Sequence, residues 1–107
     1  MNHKFYNNLG LAMRARKLAT GDEIVLKAVR SGEAKLVIMA EDASDNTKKK
    51  FQDKCSTYNV PLLITSTRGE LGASIGKEAR VLIAVLDTGF AKMLKQPVIT
   101  AEVKGID

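Results

Sequence analysis

The sequence predicts an α/β fold in which one sheet is covered by helices on both of its faces. Three observations lead there. First, the runs 36–40, 60–64 and 81–85 are apolar almost throughout, as strands are when both faces are covered. Second, segments with apolar residues three and four apart alternate with these runs, the signature of helices packed on a sheet. Third, the chain has 107 residues, 45% of them hydrophobic, which suits one compact core and argues against disorder. Residues 1–97 are therefore expected to form a single domain, followed by a mobile tail over 98–107 with no assigned packing partner. No internal repeat, low-complexity tract or linker interrupts the pattern.

The elements follow in order. Residues 5–18 read as a helix with Phe5, Leu9, Ala12 and Met13 on one face, and Arg14, Arg16 and Lys17 near its end suit the helix dipole. Thr20 and Glu23 have the spacing of a capping box that would open a second helix. Its expected buried stripe is Ile24, Val25, Ala28 and Val29, and Gly32 is placed to end it in a left-handed conformation. Residues 36–40 form the first apolar strand, followed by the polar loop Glu41-Asp42-Ala43-Ser44-Asp45. A helix over 46–58 turns Phe51, Cys55 and Tyr58 inward, while Lys48, Lys49 and Lys50 read as a solvated face. Residues 60–64 form a second buried strand, with Pro61 near its start where proline is tolerated. Thr67 and Glu70 repeat the capping-box spacing and open a short helix through Ile75. The loop 76–79, a third apolar strand and a helix over 88–96 with Phe90, Met93 and Leu94 inward complete the pattern, and Pro97 stops the last helix.

Composition narrows the chemistry. Seventeen basic and 12 acidic residues give a formal net charge of +5, which favours an anionic partner without naming one. Cys55 is the one cysteine and His3 the one histidine. No disulfide can close within the chain, and neither a cysteine-based zinc site nor a histidine-based metal or general-base site is expected. This usage fits a reducing cytosol, and no apolar run reaches the length of a bilayer span or of a signal-peptide core. The sequence holds no phosphate-binding loop of the Walker type, no glycine-rich dinucleotide fingerprint and no nucleophile elbow.

Two places remain. Glu41 and Asp42 follow the carboxyl end of a strand, where α/β folds often place ligands. They could hold a magnesium ion in a phosphoacceptor domain. The preferred reading is a polar loop whose carboxylate binds a nearby backbone amide, because no third acid accompanies the pair. The start of the second helix is the stronger site. Gly21 permits close approach of another backbone, and open amides at a helix N-terminus attract phosphate. Glu23 and Lys27 lie four apart and so share a face. A carboxylate can accept from a base amino group, and a lysine can donate to guanine or to phosphate. On the residues alone, an equally good account makes Glu23 a cap and Lys27 its exposed ion-pair partner.

The run Gly21-Asp22-Glu23-Ile24-Val25-Leu26-Lys27-Ala28, then Gly32, the stretch from Ala34 to Ala43, Val60-Pro61, and Glu70-Leu71-Gly72-Ala73-Ser74-Ile75-Gly76 together resemble the kink-turn-binding ribosomal-protein family, the L-seven-Ae and L-thirty-e superfamily. Gly10 to Lys17 and Glu41 to Thr47 resemble more closely a short bacterial paralogue of the Gram-positive type, and the likeness runs from about Leu9 to Leu94. The resemblance implies a three-layer α/β/α sandwich with a mixed four-stranded sheet, whose fourth, short strand lies near 17–20. It implies an RNA-recognition turn at Gly21, Glu23, Ile24 and Lys27, which enters the major groove of a sharply kinked duplex beside sheared G·A pairs. It also implies a loop at Lys77, Glu78 and Ala79, with Arg80 at its edge, that covers looped-out nucleotides. Family members often carry Asn-Glu where this chain has Glu23-Ile24, and a more apolar covering loop.

The expectation is a non-catalytic, monomeric, cytoplasmic protein that binds kink-turn or similar structured RNA, ribosomal RNA included, with no cofactor, metal or membrane partner. The rivals are a protein-interaction module of the same fold without RNA binding, and a metal-dependent phosphoacceptor domain using Glu41 and Asp42.

Overall fold

The computed structural model describes residues 3–95. Its elements are α1 (His3–Arg14), β1 (Leu18–Thr20), α2 (Asp22–Ser31), β2 (Leu36–Met39), α3 (Asp45–Thr57), β3 (Leu62–Ile64), α4 (Arg68–Ser74) and β4 (Leu82–Val85). A further helix, α5, covers 88–95 within the described residues. The expected stop at Pro97 and the tail 98–107 lie outside them.

The four strands form one mixed sheet in the order β1-β4-β2-β3. β4 runs antiparallel to both β1 and β2, and β2 runs parallel to β3. The two central strands are buried at every position. Because side chains alternate across a strand, they feed two separate cores. Val37, Met39, Leu82 and Ala84 pack with Val25, Val29 and Phe51 from α2 and α3. Leu36, Ile38, Ile83 and Val85 pack with Phe5, Leu9, Leu71 and Leu94 from α1, α4 and α5. This is the three-layer α/β/α sandwich.

Several elements differ from the sequence expectation. The first helix ends at Arg14, so Leu18 belongs to a strand and not to the helix. The Lys17 amide donates to the Ala12 carbonyl at 2.9 Å and the Arg16 amide to the Met13 carbonyl at 3.0 Å, with Arg16 at φ 61°. That is a Schellman closure built on arginine, without the glycine that usually signals one. Thr20 does not cap α2, because it is the last residue of β1 and pairs with Ile83. Gly21, at φ 103°, takes the cap position, and no side chain bonds there. Ile24 is not part of the buried stripe, which is Val25, Ala28 and Val29.

Toward the carboxyl end, β3 is an edge strand and not a fully covered one: Leu62 and Leu63 are half-buried and Ile64 is exposed. Tyr58 and Met93 also face outward, while Ala91 and Leu94 supply the buried face of α5. Other readings hold. Gly32 closes α2 at φ 83°, and Thr67 and Glu70 form both halves of the capping box of α4. Ser44 caps α3 by accepting from the Thr47 amide at 3.2 Å, so the helix begins at Asp45, one residue before the expected start.

Gly72 fixes the loop that precedes β4. A Cβ at this buried position would overlap the Glu78 carbonyl and press on the Ala79 Cα. The Lys77 amide also donates to the Gly72 carbonyl at 2.9 Å. The loop can rest on α4 because residue 72 has no side chain.

Two predictions follow from this packing. Gly72→Ala should push out the backbone of Lys77 to Ala79 and cost about 1–3 kcal/mol, the usual range for overpacking against backbone. Urea melts and amide exchange across the loop would measure this, and wild-type values in both would refute it. Cys55 is buried, and burial raises its thiol above the ordinary value. The folded chain holds that proton more tightly than the unfolded chain. Its contribution to stability is present below the unfolded-state value and is lost as pH rises through the folded one. Thiol labelling at mildly alkaline pH should therefore be far slower in buffer than in urea.

Candidate functional site

One end of the sheet gathers four connections: β1 to α2, β2 to α3, β3 to α4, and α4 to β4. The registers require this, since Thr20 lies opposite Ile83 and Met39 opposite Leu82. The Ala40 amide donates to the Val81 carbonyl, and the Glu41 amide to the Ser66 carbonyl at 2.8 Å. Ser66, at φ 64°, is held from the other side by the Tyr6 hydroxyl at 2.9 Å.

At this end α2 begins abruptly. The Val25 amide donates to the Gly21 carbonyl at 2.9 Å, closing the first helical turn. The amides of Asp22, Glu23 and Ile24 precede any intrahelical acceptor, and no side chain caps them. With glycine at the cap position, the missing side-chain bond costs only a few tenths of a kcal/mol, roughly 0.3. Asp22 and Glu23 offset it, since each carboxylate beside the positive end of the helix dipole contributes about 0.3–1 kcal/mol. Ile24 projects from the same turn with 59% of its surface exposed.

Both bland accounts of Glu23 and Lys27 fail in this geometry. Glu23 completes no capping box, because Thr20 lies in the sheet. Nor do the two side chains form an ion pair: among the described residues the one ion pair joins Arg68 to Asp42. Glu23 and Lys27 are both exposed.

The eight residues singled out in the sequence do not form one cluster. Gly21 and the loop residues Ala79 and Arg80 line one cleft together with Thr20 and Asp22. Glu23 and Lys27 line a neighbouring hollow between α2 and α3, shared with Arg30 and Lys50. Lys77 and Glu78 are exposed on the loop and line neither. Arg80 turns back on its own loop, its Nη1 donating to the Ala79 carbonyl at 3.0 Å and the Glu78 carbonyl at 3.3 Å. Asp22, Arg30 and Lys50 were missed as site residues. Arg30 was detectable, being three residues after Lys27 on the same stripe, whereas Lys50 reaches the hollow only through the packing of α3 on α2.

The Glu41-Asp42 pair has a structural occupation. The Asp42 carboxylate accepts from the Arg68 amide at 3.0 Å and meets the Arg68 guanidinium at 3.4 Å, and that guanidinium also donates to the Asp42 carbonyl. The loop after β2 is thereby tied to the start of α4. No cluster of three potential metal ligands occurs among the described residues, and nothing else in this geometry favours the phosphoacceptor reading.

With this geometry in view, comparison with known proteins is informative. The profile of the Ribosomal protein L7Ae/L30e/S12e/Gadd45 family matches residues 3–95. The "RNA-binding protein YlxQ" of Bacillus subtilis (strain 168) is 56% identical over 86 residues, which is 80% of this chain and 86% of that one. A solved Bacillus halodurans C protein, described as of unknown function, superposes with a TM-score of 0.86 at 47% identity, covering 89% of this chain and 96% of that chain. The Giardia lamblia 15.5kD RNA binding protein shares the fold, with a TM-score of 0.76 at 20% identity over 96% of this chain and 92% of that one. On sequence and architecture together, the chain belongs to the Ribosomal protein L7Ae/L30e/S12e/Gadd45 family.

Proposed function

We propose that this chain is a non-catalytic RNA-binding protein whose target is a kinked duplex, ribosomal RNA or another structured RNA carrying a kink-turn. The observation that carries the reading is the exposed Glu23–Lys27 face, free of cap and ion pair, beside the open start of α2. The relative named as an RNA-binding protein, 56% identical to this chain, supports it.

The charge distribution suggests how the turn is used. Asp22 and Glu23 repel phosphate at the helix start, so the carboxylates serve better as acceptors for base amino groups. Lys27, Arg30 and Lys50, gathered in the adjacent hollow, offer the phosphate contacts and one donor for guanine. An ordinary RNA duplex closes its major groove to side chains, and a helix terminus enters only where the duplex is bent open. Gly21 lets the backbone approach the groove closely. The loop Lys77-Glu78-Ala79, edged by Arg80, covers the nucleotides displaced at the bend. Among the described residues no helix is long and apolar enough to cross a membrane. Action in the cytoplasm, as a monomer, is part of the proposed role.

Three outcomes are expected. Lys27→Ala should change stability by no more than about 0.5 kcal/mol, since the residue is exposed and alanine is the better helix former. It should cost about 1–3 kcal/mol of binding to a kink-turn RNA and reduce discrimination against an RNA with Watson–Crick pairs in place of the G·A pairs. Titration of both RNAs reads this directly, and unchanged affinity for both would remove Lys27 from the recognition site. Lys77→Ala should weaken RNA binding while leaving the melting temperature near wild type, because only its backbone amide is used in the fold. Affinity for the kinked duplex should also fall as salt rises, and a flat response would exclude a phosphate-led interface.

A further inference from the structure

The positive surplus of the chain is not concentrated at the α2 end. There Asp22, Glu23, Glu41, Asp42, Glu70 and Glu78 stand among Lys27, Arg30, Lys50, Arg68, Lys77 and Arg80. At the opposite end of the sheet, β4 leaves toward Leu86 and β2 enters from Lys35, whose amide donates to the Val85 carbonyl at 2.7 Å. An open groove lies there between the α3–β3 turn and α5. Its lining includes Lys35, Lys92, Lys95, Tyr58 and Asn59, and no carboxylate.

The groove has two features that the fold does not use. Lys92 and Lys95 lie three apart, so they share a face of α5, and neither has an acidic partner among the described residues. Lys35 is only partly engaged, its Nζ donating to the Gly32 carbonyl at 3.0 Å. Asp87, immediately before α5, is occupied in capping that helix by accepting from the Phe90 amide at 2.9 Å. Tyr58 closes α3 through its backbone amide, while its side chain is 43% exposed and makes no hydrogen bond. Asn59, at φ 58°, turns the chain sharply behind it.

An aromatic face beside unpaired lysines in an open groove is the arrangement that holds single-stranded nucleic acid: bases stack on the ring and phosphates meet the cations. A duplex would leave Tyr58 unused, because its bases are already stacked. The acidic side chains of a peptide would use the lysines alone, whereas each nucleotide brings both a phosphate and a ring that stacks. We propose that this groove binds an unpaired segment of RNA, with a base stacked on Tyr58 and its phosphates on Lys92 and Lys95, supported by Lys35. The protein then holds two RNA segments at opposite ends of one sheet.

The test uses the full chain and a short single-stranded oligouridine containing 4-thiouridine, a probe with no kinked duplex. Its outcome is therefore separable from that of the α2 reading. The photocrosslink is expected in the peptide containing Tyr58. Tyr58→Leu should weaken binding about tenfold, in line with the loss of one stacked base, and Tyr58→Trp should restore it. Lys92→Gln combined with Lys95→Gln should lower the log–log salt slope by about 1.4, the value for two single-strand phosphate contacts. Lys27→Ala should leave all of this unchanged. The proposal is overturned if the crosslink maps to the first turn of α2, or if Lys27→Ala abolishes binding of the oligouridine. It is equally overturned if Tyr58→Leu has no effect while polyglutamate competes as well as RNA, which would mark a surface for acidic proteins. Crosslink mapping on the unmodified chain decides the matter even if a variant fails to fold.

Discussion

The pairing of β1 with β4 governs the geometry of the candidate site. It is only three residues long, from Leu18–Val85 to Thr20–Ile83, yet it draws Thr20 into the sheet and leaves a single residue for the change from strand to helix. Gly21 makes that change at a positive φ that side chains rarely tolerate. The helix therefore starts at the rim of the sheet on a residue whose backbone conformation, not its surroundings, disfavours a capping side chain. Gly21 and Asp22, at its start, lie beside the loop that precedes the same β4, and Glu23 opens onto the neighbouring hollow. In this fold an uncapped helix end follows from how the sheet is closed, and so does its position next to the covering loop.

Much of the fold was legible because local chemistry and tertiary structure agree. The buried runs at Leu36–Met39 and Leu82–Val85, the capping box at Thr67 and Glu70, and the left-handed stop at Gly32 all carry their meaning in the residues themselves. The misreadings share one origin. Thr20 and Glu23 have the spacing of a capping box, but the hydrogen bonds of the sheet claim Thr20 first. Arg16 ends α1 in a conformation that glycine would have announced and arginine does not. The apolar run around β3 reads as fully covered, although the strand is paired on one side alone. In each case a long-range constraint outweighs a local preference worth about 1 kcal/mol.

The candidate site divides in the same way. Gly21, Glu23 and Lys27 could be placed on one turn from sequence spacing. That spacing could not show that Glu23 and Lys27 open onto a hollow shared with Lys50, since α3 enters only through packing. Nor could it show that Arg80 folds back on its loop carbonyls, or that Arg68 and Asp42 lock two connections together across 26 positions of sequence. Residue types announce what chemistry is available, and tertiary contacts decide which groups are already committed. Only the uncommitted ones remain for a ligand.

The double-sided burial of β2 and β4 bears on how this sheet finds its register. In a sheet with one wet face, sliding a strand by one residue exposes its apolar side chains, and polarity alone forbids the error. Here both faces are dry, and a slipped strand would exchange one oily surface for another. Shape must then do the discriminating. The layer holding α2 and α3 receives the small Ala84 opposite Val37 beside the larger Met39–Leu82 pair, whereas the other layer receives two bulky pairs, Ile38 opposite Ile83 and Leu36 opposite Val85. Shifting either strand would crowd branched side chains into the slimmer layer and leave voids in the fuller one. The alignment of the sheet is thus written in side-chain volume, and a conservative exchange such as valine for alanine at its centre could blur a distinction that a polar substitution elsewhere would leave intact.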